Sequence, residues 1–228
     1  MISFIRQAVY KHGYLLITAA WLYTLSFIFI IYWSYNSSPE KVRSKLEQRL
    51  HKLEDQFQSA LQDTAGLYAR ISLQPGLSDP LEGRIGLFIF KEEPSKSNLV
   101  YWNTNQMYIS REELKTTPGH FFVDNQNGEF EWLVQRIPIR GQSYTIMGLI
   151  PVRWSYFMEN KYLKTEFAGF DRLNEQYEIS DSRNALPVYS NNGKLLFHVQ
   201  LKQGKSFISY DAVTVILRVL AIIFLLIF

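Results

Sequence analysis

Uncharged apolar sequence is concentrated at the two ends of this chain. Tyr14 to Trp33, YLLITAAWLYTLSFIFIIYW, runs for 20 residues without a charge, and Val213 to Phe228, VTVILRVLAIIFLLIF, carries one charge, Arg218. A helix of 20 residues is about 30 Å long, the thickness of a bilayer core. The first run therefore predicts a membrane-crossing helix over 14–35, with Tyr32, Trp33 and Tyr35 at headgroup level. Its apolar core is too long for a cleaved signal peptide, and no A-x-A-like site follows. Arg6 and Lys11 precede the run and the next basic residue is Lys41, which puts 1–13 in the cytoplasm and the following residues outside.

The last run, 212–228, reads as an incomplete return crossing, lacking a cytoplasmic flank. Counted from Val219, it offers ten apolar residues, about 15 Å, with Arg218 snorkelling at the outer interface. Counted from Ala212, Arg218 is buried at a cost of a few kcal/mol. The first count is favoured. The expectation is a chain interrupted ahead of an output domain.

Between the ends the pattern changes period. In NSSPE, Ser38 can cap a helix and Pro39 fits its first position. From there Val42, Leu46, Leu50, Leu53, Phe57, Leu61, Thr64, Tyr68 and Ile71 recur at steps of three and four, one stripe along a helix of about nine turns over 36–73. The near-heptad spacing of Leu46, Leu50, Leu53 and Phe57 favours pairing with a second copy as a coiled coil, and the later half covering a sheet.

After the Pro/Gly-rich segment Gln74–Gly83 the alternation becomes strand-like. RIGLFIF (84–90), LVYWNTN (99–105), HFFVDN (120–125), EFEWLVQRIPI (129–139) and SYTIMGLIPV (143–152) predict five mainly antiparallel strands, with Asn127-Gly128 as a hairpin turn. Phe130, Trp132 and Val134 form one apolar face, and Pro138 suits a frayed or edge position. Ser110 and Glu113 suggest a capped short helix, REELK, and apolar spacing predicts a helix over Trp154–Phe167. YEIS (177–180) and LPVYSNNGKLLFHVQL (186–201) add a small β unit with Asn192-Gly193 at its turn. The fold class is α+β: a sheet domain over 74–172 and a membrane-proximal β unit over 173–211.

Composition changes this picture little. There are 24 basic against 21 acidic residues, and Arg6, Lys11 and Arg218 account for the excess, so the middle carries no electrostatic footprint for nucleic acid. Cysteine is absent, which excludes disulfides and thiolate metal sites. His12, His51, His120 and His198 show no metal spacing, so no metal is expected from them. QGKS (203–206) lacks the upstream glycine of a phosphate loop, no nucleophile elbow occurs, and the acidic residues offer no pair assignable to one site. Neither a catalytic residue nor a cofactor is expected in this chain. Tyr101, Trp102, Asn103, Arg136, Arg153, Trp154 and Tyr156 combine aromatic walls with cationic tips, the composition of a small-anion site; the competing reading makes the aromatics core and the arginines surface.

The succession LVYWNTN, the NG turn, GEFEWLVQRIPIRGQSYTIMGLIPVRW and ENKYL, then PVYSNNGKLLFHVQL before the last apolar run, resembles the extracytoplasmic sensor region of two-pass, Bacteroidota-type sensor histidine kinases. The resemblance implies a PAS-like (PDC or Cache-type) sheet, a homodimer in the inner membrane responding to a small-molecule or protein stimulus, and a histidine-kinase transmitter after the second crossing. An amino-acid-binding pattern known from some Cache domains is not recognisable. A two-pass envelope scaffold and a chemoreceptor input are the rival expectations.

Overall fold

The computed structural model describes residues 2–72, 81–93, 96–107, 109, 117–170, 173–182, 184–206 and 212–228, with side chains from Gly13 onward. The chain divides into two compact units, 1–42 with 203–228 and 43–202.

The first unit is a helix pair. Helix α1 spans Ile2–Asn36, and its stretch Gly13–Asn36 is long and apolar enough to cross a membrane. The Ser38 carbonyl then accepts the Val42 amide at 2.9 Å with Pro39 in the first turn, so helix α2 (Pro39–Gln62) starts within NSSPE, although the Ser38 hydroxyl donates back to the Tyr35 carbonyl and caps nothing. Helix α5, Ala212–Ile227, is a shorter apolar helix packed on α1. Ala19, Ser26, Thr214 and Ala221 are buried, small side chains that let two backbones approach.

Helix α5 begins at Ala212, so Arg218 lies within the helix. Its Nε donates to Ser26 Oγ at 3.4 Å and its guanidinium lies 5.5 Å from the Phe27 ring centre. Ser26 is six residues inward of Tyr32, about 9 Å along the helix. The hydroxyl and the ring face give the cation polar company within apolar sequence.

The second unit is α+β. The main antiparallel sheet runs β2 (Ser97–Trp102), β1 (Gly86–Glu92), β5 (Gln142–Trp154), β4 (Gly128–Ile139), β3 (Gly119–Asn125), with β6 (Glu166–Phe167) added to β5. The turn at Asn127 works because Gly128 has φ +147°, and a Cβ there would strike the Arg153 carbonyl. Arg140 and Gly141, both at positive φ, make the two-residue β4–β5 turn. Pro138 lies beyond the last β3 partner, Val134, where β4 has a neighbour on one side alone. A second sheet orders β7 (Tyr177–Ser180), β9 (Leu195–Leu201) and β8 (Leu186–Tyr189).

Both faces of the main sheet are buried. Phe88, Phe90, Phe130, Trp132, Val134, Met147 and Leu149 form one, with Phe121, Val123 and Trp154 packed against it. On the opposite face Leu87, Ile89, Leu133, Ile146 and Ile150 are buried beside α2, and a Cβ at Gly148 would come within 2.6 Å of the Phe57 ring. The α2 stripe is used up in this contact. Leu46, Leu50, Leu53 and Phe57 are at most 6% exposed within the single chain, which leaves no surface for the coiled-coil seam expected of them.

Three further expectations are corrected or fall outside. The nine-turn helix breaks at Asp63, which takes the Gly66 amide on Oδ1 at 2.9 Å and the Leu67 amide on its carbonyl. A separate helix α3, Thr64–Ser72, therefore buries Leu67 and Arg70 in place of Thr64, Tyr68 and Ile71. Trp154–Phe167 is not a helix: Asn160 Oδ1 takes the Tyr162 and Leu163 amides at 2.8 and 2.9 Å, and Glu159 takes that of Thr165, a local turn that outcompetes helix bonding. The short helix expected at REELK lies outside the described residues. Helix α4, Leu173–Gln176, is a single turn leading into β7.

Candidate functional site

The seven aromatic and cationic candidates do not converge. Arg136 sits opposite Thr145 on β5 and Arg153 lies eight residues further along that strand, about 26 Å away. Asn103 has a structural task, its amide side chain bonding the Leu87 amide at 2.7 Å and the Ile85 carbonyl at 3.0 Å across the open end of β1. Tyr101 is half-buried in β2, and Trp102, 46% exposed, donates to Asn105 Oδ1. Trp102 and Asn103 line a polar cleft of about 360 Å³.

Each arginine already has a carboxylate. Arg153 grips Glu129 through Nε (2.9 Å) and Nη2, and Arg136 Nε lies 3.0 Å from Glu92, whose carboxyl is held below its ordinary range first by the Thr145 hydroxyl. Trp154 stacks on Tyr156 and meets Phe130 edge-on; burial and the nearby Glu166 raise the Tyr156 phenol above its usual range. These residues tie the sheet together; they do not wall one anion pocket. A separate open trough of about 1080 Å³ follows the polar face of α2 past Gln48, His51, Lys52 and Asp55, and none of the seven lines it.

A different group does converge. Glu54 of α2, His120 of β3 and Glu131 of β4 each bring a liganding atom within 4.8 Å of the others. Glu54 is 1% and Glu131 0% exposed. Nδ1 of His120 lies 3.0 Å from Glu131 Oε1, and the Asn191 amide, in the β8–β9 turn, donates to Glu54 Oε2 at 2.7 Å. Lys194 from the same turn caps the His120 carbonyl and covers the Phe121 ring. The two carboxyls hydrogen-bond each other, and Glu54 Oε1 and Glu131 Oε2 are buried without a partner from any other residue. No family model, curated protein or solved structure matches the chain.

The electrostatics of this cluster follow from burial. Desolvation first, then the neighbouring Glu131 charge, push the Glu54 carboxyl up to about 7. Desolvation also pushes Glu131 up to about 7, and burial lowers His120 from its ordinary 6.5. Two carboxyls thus bind protons more tightly folded than unfolded. Their contribution to stability is full below their ordinary value of 4.5 and is lost as the pH rises through about 7. His120 acts in the opposite sense below its ordinary 6.5. In nanodiscs containing chelator, the midpoint of thermal unfolding should fall between pH 6.5 and 8, and Glu131→Gln should flatten that fall. A wild-type midpoint that rises over this window would contradict the assignment.

Histidine spacing could not reveal this cluster, because its three members are separated by 66 and 11 positions and meet only when α2 lies on the sheet. One signal was present. Glu54 interrupts the Leu50–Leu53–Phe57 stripe, and Glu131 sits between Phe130 and Trp132 on the strand face that also carries Leu133.

Proposed function

We propose that this chain is the signal-input region of a two-pass sensor histidine kinase of the inner membrane, with a PAS-like domain outside and a homodimeric arrangement. The observation that carries this reading is the position of α2. It starts two residues after the membrane-crossing helix α1, and both sheets are fastened to it. Arg49 Nη1 donates to the Pro151 carbonyl of the main sheet at 2.9 Å. Glu47 and Asp55 accept from Tyr189 and Asn191 of the small sheet's hairpin, and His51 lies 2.9 Å from the Tyr189 carbonyl. A repacking of either sheet is therefore felt by the helix that continues toward the membrane, and β9 ends ten residues before α5. A stimulus acts by binding one arrangement more tightly than the other. The antiparallel order β2-β1-β5-β4-β3 with a long helix on one face supports the PAS-like assignment. Homodimer contacts draw on surfaces other than the buried Leu46–Phe57 stripe.

Two measurements test this. The chain has no native cysteine, so single cysteines report sides cleanly. Cysteine at Asn192 should react with an impermeant maleimide in intact spheroplasts, and cysteine at Gln7 only after lysis. In a chimera that continues from Phe228 into a histidine-kinase transmitter, Gly148→Ala, which presses on Phe57 of α2, should change autophosphorylation several-fold. An unchanged rate in a folded variant would count against signal input.

A second reading, a partner-binding envelope scaffold, draws on the loop after β5. Phe157 is fully exposed there, with Met158 at 75% and Tyr162 at 86%. Transmitter phosphorylation indifferent to every change in the domain would favour it.

A further inference from the structure

The Glu54–His120–Glu131 cluster has a property that sensor architecture does not require. Two carboxyl groups are removed from water and hydrogen-bonded to each other, and Glu54 Oε1 and Glu131 Oε2 have no partner outside that pair. Two acidic groups buried against each other are costly, and a native core retains them where a proton or a cation stands between them. Lys194 directs its ammonium to the His120 carbonyl.

We propose that these three residues form a binding site for a divalent transition-metal ion of the Zn²⁺ or Mn²⁺ class. A doubly charged ion balances two carboxylates and takes one oxygen from each, in place of the proton they otherwise share. The donor set is two carboxylate oxygens and one imidazole nitrogen, which suits borderline dications more than Ca²⁺ or Mg²⁺. The donor atoms already lie within 4.8 Å of one another; around an ion at roughly 2 Å they close to about 3.3 Å, a small side-chain adjustment. Orientation is supplied from outside the donor set, since the Asn191 amide fixes Glu54 through Oε2 and leaves Oε1 for the ion. Entry is available beside His120, where Pro118, Gly119, Gln135 and Arg136 border a cleft of about 400 Å³. Three protein donors leave a coordination position open to water. The ligands come from α2, β3 and β4, so the ion clamps the long helix to the sheet.

The site stands apart from the sensor reading; a role for the ion as stimulus rests on that reading. The test uses the full chain in nanodiscs, tag removed and stripped with chelator, titrated with Zn²⁺ and separately Mn²⁺ against a chromophoric competitor at pH 7.5. The expected result is one equivalent bound, a thermal midpoint raised by several degrees, and no such rise with equal Mg²⁺. Glu54→Gln and Glu131→Gln, isosteric and uncharged, should each weaken binding at least about tenfold while remaining folded. Glu159→Gln, in the exposed loop after β5, should bind as wild type. Absence of stoichiometric binding by the wild type, or undiminished binding by the Glu54→Gln/Glu131→Gln double variant, overturns the site; the two buried carboxyls then share a proton. The assay needs no transmitter, so its failure is distinct from failure of the sensor reading.

Discussion

Replacing Leu50 and Leu53 together by lysine should unfold the sheet domain, and not merely separate two protomers. The side chains are 1% and 6% exposed, packed between α2 and the sheet. Losing each leucine forfeits roughly 1.5–3 kcal/mol of apolar burial. Placing an ammonium in the same space adds several kcal/mol each, as an unpaired buried charge. A domain of this size has about 5–15 kcal/mol in total, so the double change removes most or all of it. In nanodiscs the variant should lose its cooperative thermal transition and its tryptophan emission should shift to the red, because Trp132 is no longer buried. A folded domain with the wild-type transition and lost crosslinking between protomers would restore the coiled-coil reading.

The same stripe shows what a one-dimensional pattern can and cannot decide. Steps of three and four made Leu46, Leu50, Leu53 and Phe57 one face of a helix, and they are one face. Period alone does not say whether that face meets a second helix or a sheet. Gly148 held the missing information: a glycine in the middle of an apolar strand leaves a groove, and the Phe57 ring lies in it. Strands were legible because alternation and NG turns are local chemistry. The failures came where side chains offered the backbone another partner. Asp63 restarted the helix, and Asn160 with Glu159 diverted 154–167 into turns.

Less of the site was legible. The aromatic and arginine candidates were selected by type, but strand register decides who meets whom, and it set Arg136 and Arg153 about 26 Å apart. Their partners Glu92 and Glu129 come from neighbouring strands, contacts that no spacing announces. The Glu54–His120–Glu131 cluster required the packing of α2 on the sheet before it existed at all. Buried acids inside apolar runs were the available hint, and an isolated Glu in such a run does not name its partner.

The contact that makes all of this possible can be measured directly. Phe57→Ala should cost roughly 3–5 kcal/mol, since the ring is fully buried and its loss leaves a cavity under α2. Gly148→Ala alone should cost about 1–3 kcal/mol: its methyl would lie 2.6 Å from two ring carbons of Phe57, on a strand held between β1 and β4. Combined with Phe57→Ala, the Gly148→Ala change should be neutral or stabilising, because the clashing ring is gone, the methyl fills part of the cavity, and alanine suits a strand interior better than glycine. Urea unfolding of the four proteins at one pH, with chelator present, gives the cycle. The coupling should reach at least 1 kcal/mol in the rescuing direction; additivity within about 0.5 kcal/mol would mean that ring and strand do not touch. The sign matters more than the size. A pair that clashes only while the helix is seated reports the seating itself, and seating of α2 on β5 brings Glu54 to Glu131.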